Sequence, residues 1–342
     1  SQTGKFYWAL CTYITFTTLY TIIAIPVGSL IPAMTQDRDE RTSLASFRYL
    51  GASSGSISVA VLTLPLVGLF SSPQYGFPIT VAILAFFGAI FAFLCFYHTE
   101  EKYSKTYEKR VSVKDLLRMV FSNFPLHLVI LALLTTWIAN NIKQITVIYF
   151  VKYNLQLEAF FSPILLSVIL QIMLGAFLIN LIKHKFEKKT LFMIGTFLYV
   201  ITDLIIYYIT GYENFWLFAF VASFGFVGFG MAGVMAWSMI ADTVEYGEWK
   251  SGFRAEGTLN AAHVFVFKLS VGFSAWLAGY ILDRTNYKPN AEIQSIDTLN
   301  GLFIMGYIFP AIAGTIAIIV MLFHNYNGAF YEKIFSELKQ RQ

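Results

Sequence analysis

An all-α protein threaded repeatedly through a lipid bilayer is the fold class this sequence predicts, and three observations lead there. Hydrophobic residues make up 57% of the 342 and charged residues only 13%, roughly half the 25% charged share of an ordinary soluble domain. Mean hydropathy is +0.62. The apolar residues also run on for roughly 20 positions at a time, the length that crosses about 30 Å of hydrocarbon as helix. They lack the alternation of barrel strands.

Nine segments meet that length, roughly 6–34, 50–70, 77–97, 125–151, 160–182, 191–210, 215–241, 257–281 and 299–323. Pro26 and Pro32 fall inside the first and predict a kinked helix. The connection 98–124 is the longest, and the spacing of Val113, Leu116, Leu117 and Val120 predicts a helix lying at the membrane surface. Its basic residues are mixed with acidic ones, which argues against nucleic acid as a partner. That connection divides the chain into 1–97, with three spans, and 125–323, with six; 324–342 is a tail.

Sidedness follows from Lys and Arg. Alternate connections (35–49, 98–124, 183–190, 242–256 and the tail) together hold 18 of the 24. The opposite side holds four, Lys5, Lys152, Arg284 and Lys288, while Lys143 and Lys268 lie within spans. The excess places the C-terminus in the cytoplasm and, with nine spans, Ser1 outside.

Charges inside spans are costly and mark candidate sites. Lys268 lies eleven residues beyond Gly257, roughly 16 Å along a helix and so near the bilayer midplane. That is too central for easy snorkelling, so it calls for a partner or a water-filled cavity. Asn140, Asn141, Lys143 and Gln144 form a second polar cluster, either a pathway or an interhelical contact. Asp203 lies nearer a span end, where a water-exposed carboxylate is the plainer expectation. Between spans, Asp242, Glu245, Glu248, Lys250, Arg254 and Glu256 crowd one edge. On short helices such mixed charges can pair in one conformation and release in another.

Other patterns carry no chemistry. Gly228, Gly230 and Gly233 have the spacing of a dinucleotide loop, but they lie within an apolar helix and not after a strand. Close helix packing explains them better. Cys11 and Cys95 sit in apolar runs with no metal-ligand spacing. No P-loop, zinc-protease motif or nucleophile elbow is present, so enzymatic activity is not expected.

The block 234–256, VMAWSMIADTVEYGEWKSGFRAE, with Val266-Phe267-Lys268 after it, resembles a signature of the glycoside-pentoside-hexuronide:cation symporters. These are melibiose-permease relatives in the major facilitator superfamily. A second block, Ile25 to Thr35 through Glu40-Arg41 to Phe47-Arg48, resembles that family's fourth helix and following loop. The resemblance spans nearly the whole chain. It implies a major-facilitator-like fold of twelve helices in two six-helix bundles. The nine spans here would then be the fourth to the twelfth, from an N-terminally incomplete protein.

The resemblance also implies roles. Arg48 matches an arginine that hydrogen-bonds sugar, with one residue fewer in the preceding loop. Lys268 matches a lysine beside the cation site, whose carboxylate partners lie on a helix not in this sequence. His263 matches a polar residue near the cavity. Ala24 and Gly28 stand where the melibiose permease has an acidic sugar-binding residue and a stacking tryptophan, so melibiose itself is not carried over. Trp237 offers a replacement aromatic.

The expectation is therefore a secondary active transporter coupling Na⁺ or H⁺ to uptake of a glycoside, pentoside or hexuronide by alternating access. Arg48, Lys268, Trp237, His263 and Asn141 are the candidate substrate residues, with Lys268 also in coupling and the 242–256 charges as a cytoplasmic gate. No cofactor or resident metal is expected beyond the coupling cation. A monomer in a bacterial inner membrane is expected. The alternative is a lysolipid or other amphiphile carrier of the same fold.

Overall fold

The computed structural model describes residues 2–103, 112–289 and 291–340. Every regular element among them is helical. In order they are α1 (Gln2–Met34), α2 (Arg38–Gly68), α3 (Pro73–His98), α4 (Val113–Ser122), α5 (Phe124–Tyr149) and α6 (Phe161–Ile182). Then come α7 (Lys188–Ile205), α8 (Phe215–Ser251), α9 (Glu256–Arg284), α10 (Ile296–Phe303), α11 (Phe309–Leu322) and α12 (Gly328–Gln340). π-helical turns extend α5 over Phe150–Asn154 and α7 over Ile206–Thr210, and a third, Ile304–Ile308, joins α10 to α11. With these joins, nine helices among the described residues are long and apolar enough to cross a membrane. They coincide with the nine segments read from the sequence. Lys105, Lys109, Arg110 and Arg341, part of the charge asymmetry, lie outside the described residues.

Two connections are shorter than their polar composition suggests. Residues 38–49, expected as part of a loop, already belong to α2. Asp37 caps that helix by accepting from the Glu40 amide at 2.8 Å, and Asp39 and Glu40 in its first turn suit the positive end of the helix dipole. Likewise α8 does not break at Asp242 into short helices. It runs 37 residues to Ser251, about 55 Å, and stops at Gly252, whose φ of 81° only glycine adopts freely. Both helices can carry charges inward because partners from other helices neutralise them. The surface helix expected after Val113 is α4. Its Ser112 cap accepts from the Asp115 amide, and its Met119 is buried.

The core gathers around α8, where glycines bring backbones together. A Cβ on Gly175 of α6 would lie 2.0 Å from the Val227 carbonyl, and one on Gly230 of α8 would lie 2.1 Å from that of Ile172. Gly195 of α7 and Gly228 abut each other's carbonyls in the same way. The glycines that mimic a dinucleotide loop thus serve packing, as their apolar setting implies. Ala176, Ile179, Leu191, Val234 and Met235 fill the space between. In contrast, α1 and α3 present large apolar side chains outward, Phe16 at 68% exposure and Phe96 at 80%. Such a surface is stable only against hydrocarbon or further protein.

Candidate functional site: a charged cluster and two unpaired cations

At the basic end of the molecule, α8 meets α2 through ion pairs removed from water. Asp242, Glu245 and Glu248 recur every three residues along one face of α8; Arg38 and Arg41 share that spacing on α2. Arg41 is fully buried. Its guanidinium grips both oxygens of Glu245, reaches Asp242 at 3.4 Å, and donates to the carbonyls of Thr35 at 3.0 Å and Ala241 at 3.2 Å. Asp242 also receives Arg38 at 3.2 Å and Lys188 of α7 at 2.7 Å. Arg254, in the link between α8 and α9, donates to Glu245 at 3.2 Å, to Glu248 at 3.1 Å, to Glu256, and to the Pro32 carbonyl of α1 at 2.9 Å.

The cluster therefore runs from α7 through α8 to the link, and binds α1 and α2 on the way. Burial opposes the Arg254 charge, but Glu245, Glu256 and Glu248 outweigh it, so its pKa moves above its ordinary value. Tyr331 of α12 completes the end: its hydroxyl donates to the Gln36 carbonyl at 3.0 Å and accepts from Arg41 at 3.3 Å, while Arg38 lies over its ring. Burial raises the Tyr331 pKa, as does nearby Glu245, which keeps that hydroxyl protonated.

Five of the six charges expected at this edge come together. Lys250 does not; it is exposed and donates to the Ser122 carbonyl at the end of α4 at 3.0 Å. Arg38, Arg41 and Lys188 enter from segments expected to be loops. The matching three-residue spacing of Arg38/Arg41 and Asp242/Glu245 is the signal that could have paired them.

Deeper in, α1, α2, α8 and α9 line a second constellation. The Arg48 guanidinium lies 4.1 Å from the ring centre of Trp237, near the cation–π optimum, and donates to the Val27 carbonyl at 3.4 Å. The His263 ring stands edge-on to Trp237 with centroids 4.3 Å apart. His263 is buried and neither ring nitrogen has a hydrogen-bond partner among the described residues. One face of Trp237 is thus covered by Arg48. Further along α9, the half-buried Lys268 donates to the Thr17 carbonyl at 2.9 Å and to the Thr21 hydroxyl of α1. Neither Arg48 nor Lys268 has a carboxylate partner among the described residues. Asn141 does not join this group: its amide donates to Ser270 at 3.1 Å and ties α5 to α9.

Asp203 departs from expectation. It is 1% exposed, not bathed in water, and forms an ion pair with Lys143 of α5. The α7 face that carries it turns inward, with Tyr199 and Thr202 buried beside it, and Lys143 supplies the counter-charge that makes burial tolerable. Spacing along either helix could not show this, because the partners are 60 residues apart.

Comparison with known proteins accords with this architecture. The MFS/sugar transport protein family matches residues 1–328. Among relatives, "Uncharacterized symporter YjmB" of Bacillus subtilis is 30% identical over 94% of this chain and 70% of its own length. "Putative sulfoquinovose importer" of Escherichia coli is 30% identical over 98% of this chain and 72% of its own. "Isoprimeverose transporter" of Lactiplantibacillus pentosus is 27% identical over 98% and 71%. Nine apolar helices among the described residues, the signature block on α8 and α9 and these matches agree that the chain belongs to the MFS/sugar transport protein family, as a multi-pass membrane protein of the glycoside-pentoside-hexuronide symporter kind.

Proposed function

We propose that this protein is a cation-coupled symporter, driven by Na⁺ or H⁺, for a sugar that carries an anionic group such as a uronate or sulfonate. The observation that carries the reading is Arg48 and Lys268, two cations where α1 and α2 meet α8 and α9, with no acidic partner among the described residues. An unneutralised cation within a membrane span is expensive, and an anionic ligand repays that cost. A guanidinium adds donors in fixed geometry for a carboxylate or sulfonate. A relative named for sulfoquinovose, a sugar sulfonate, supports the same chemistry.

Alternating access requires one end to close while the other opens. The cluster of Arg41, Asp242, Glu245, Glu248, Arg254 and Glu256 suits the closed end, and the charge asymmetry assigns it to the cytoplasm. In this reading the conformation is sealed on that side, with Arg48 parked on Trp237 and His263 behind it. Breaking the cluster would free Arg48 from its neighbours as the helices part. Lys268 repels a cation in the ligand-free state and so links substrate charge to the coupling ion.

The test is uptake of labelled glucuronides, sulfonated sugars and neutral glycosides into proteoliposomes under imposed Na⁺ or H⁺ gradients. Anionic sugars are expected to accumulate above gradient-free vesicles, and Lys268→Ala to abolish the accumulation. Equal uptake of neutral glycosides by wild type and Arg48→Ala would remove the anionic preference. Flux of a lysolipid with no sugar uptake would favour the amphiphile alternative.

A further inference from the structure

The Asp203–Lys143 pair takes no part in the Arg48–Trp237 constellation or in the cluster at the basic end, yet both of its members are buried. Asp203 lies fifteen residues beyond Lys188, where α7 begins, roughly 22 Å along it. Among the described residues it is the one buried carboxylate outside the charged cluster at the basic end. Its Oδ1 pairs with Lys143. Its Oδ2 is buried with no hydrogen-bond partner among the described residues, and so is the hydroxyl of Tyr199 one turn away. A purely structural pair would be expected to satisfy these atoms.

Lys143 has two harbours. Besides Asp203, its ammonium lies 4.4 Å from the ring centre of Tyr199, 5.1 Å from that of Tyr307 and 5.2 Å from that of Phe226. These are cation–π distances on three sides. The cation would therefore stay supported if Asp203 lost its charge.

A cleft also reaches Lys143. Where α6 and α8 cross at Gly175 and Gly230 they touch; beyond that crossing, toward the end opposite the charged cluster, they part. The gap is walled by Phe150, Ile164, Phe215 and Phe218, with Gln171 and Ser167 as polar rungs, and Lys143 and Tyr307 at its foot. Asp203 does not line this cleft and connects to it through its ion pair with Lys143. The three helices around this foot each carry a π-helical turn there, at Phe150–Asn154, Ile206–Thr210 and Ile304–Ile308. Such turns shift local register and concentrate at functional positions.

We propose that Asp203 and Lys143 form a proton-binding site, reached through the α6–α8 cleft, that takes up the coupling proton of the transport cycle. A hydronium in the cleft gives its proton to the Asp203 carboxylate, leaving water and a neutral carboxylic acid. No other bond changes. The Lys143 ammonium moves from Asp203 onto the rings of Tyr199 and Tyr307, and the site gains one positive charge. Among the described residues, the titratable groups facing Asp203 are Lys143 of α5, Tyr199 of its own helix and Tyr307 between α10 and α11. This rests on the symport reading for its role in transport, while proton binding itself does not.

Infrared titration of the purified protein tests the binding directly. Wild type minus Asp203→Asn should show a protonated-carboxyl band that grows as pH falls through the range where uptake changes. Identical titrations of the two proteins overturn the proposal. In proteoliposomes, Asp203→Asn should lose pH-driven accumulation while keeping sugar counterflow, which a folding defect would not spare. Unchanged pH-driven accumulation, or wild-type accumulation driven by Na⁺ and indifferent to pH, also overturns it. If the single variant does not fold, Asp203→Asn with Lys143→Gln, which buries no unpaired charge, replaces it. Wild type that counterflows no sugar would sink the symport reading, and the infrared titration would still decide for or against Asp203.

Discussion

At the residue scale, the basic end depends on charges that cannot be removed singly. Arg41 is enclosed and bound to Glu245 through both carboxylate oxygens. Replacing it with Gln leaves the buried Glu245 and Asp242 short of a counter-charge, at a cost of about 3–5 kcal/mol. The thermal unfolding midpoint in detergent is expected to fall accordingly. Arg41→Met with Glu245→Leu should recover most of the loss; no recovery would show that the pair's charge itself is required.

His324 makes a different kind of residue prediction. Burial, and then Lys189 beside it, lower its pKa to about 4, against about 6.5 for a free histidine. The folded state therefore favours neutral His324. Its contribution to stability is complete above about pH 6.5 and is lost as pH falls toward 4, because the unfolded chain takes up the proton first. Stability measured across that window should fall less steeply for His324→Gln than for wild type. Parallel slopes would show that His324 is not held neutral.

The element scale is governed by how closely α8 can be approached. At Gly175 a Cβ would meet the Val227 carbonyl, and backbone cannot swing aside as a side chain can. Gly175→Ala should therefore cost about 1–3 kcal/mol, visible as a lower unfolding midpoint. Gly272, on α9, has open space where its Cβ would stand. There Ala should be neutral or stabilise by up to about 1 kcal/mol, since glycine in mid-helix is unfavourable. If both substitutions behave alike, close packing is not what the α6–α8 crossing requires. The same crossing explains the cleft beyond it: helices pinned at one level by small residues diverge elsewhere, unless larger side chains fill the gap.

For the whole molecule, sidedness is the property on which the transport reading turns. With Cys11 and Cys95 replaced by Ser, a Cys introduced at exposed Lys333 should react with a membrane-impermeant maleimide only in inverted vesicles. One at exposed Lys288 should react only in intact cells. The opposite result would reverse the assignment of the charged cluster to the cytoplasmic side and, with it, which end this conformation closes.

Apolar length is a local property, so the class, the nine spans and the surface helix before α5 could be read directly from the chain. The signature block from Val234 to Lys268 is local too, and with it the family was legible. Helix ends were less so, because whether a polar stretch continues a helix depends on what meets it: residues 38–49 and 242–251 stay helical through partners that no window of sequence contains. Burial and pairing are relations between distant residues, and only the fold could decide them. It set Arg41 against Glu245, withdrew Lys250 from the cluster, covered Trp237 with Arg48, and turned Asp203 from a supposed surface acid into the buried partner of Lys143.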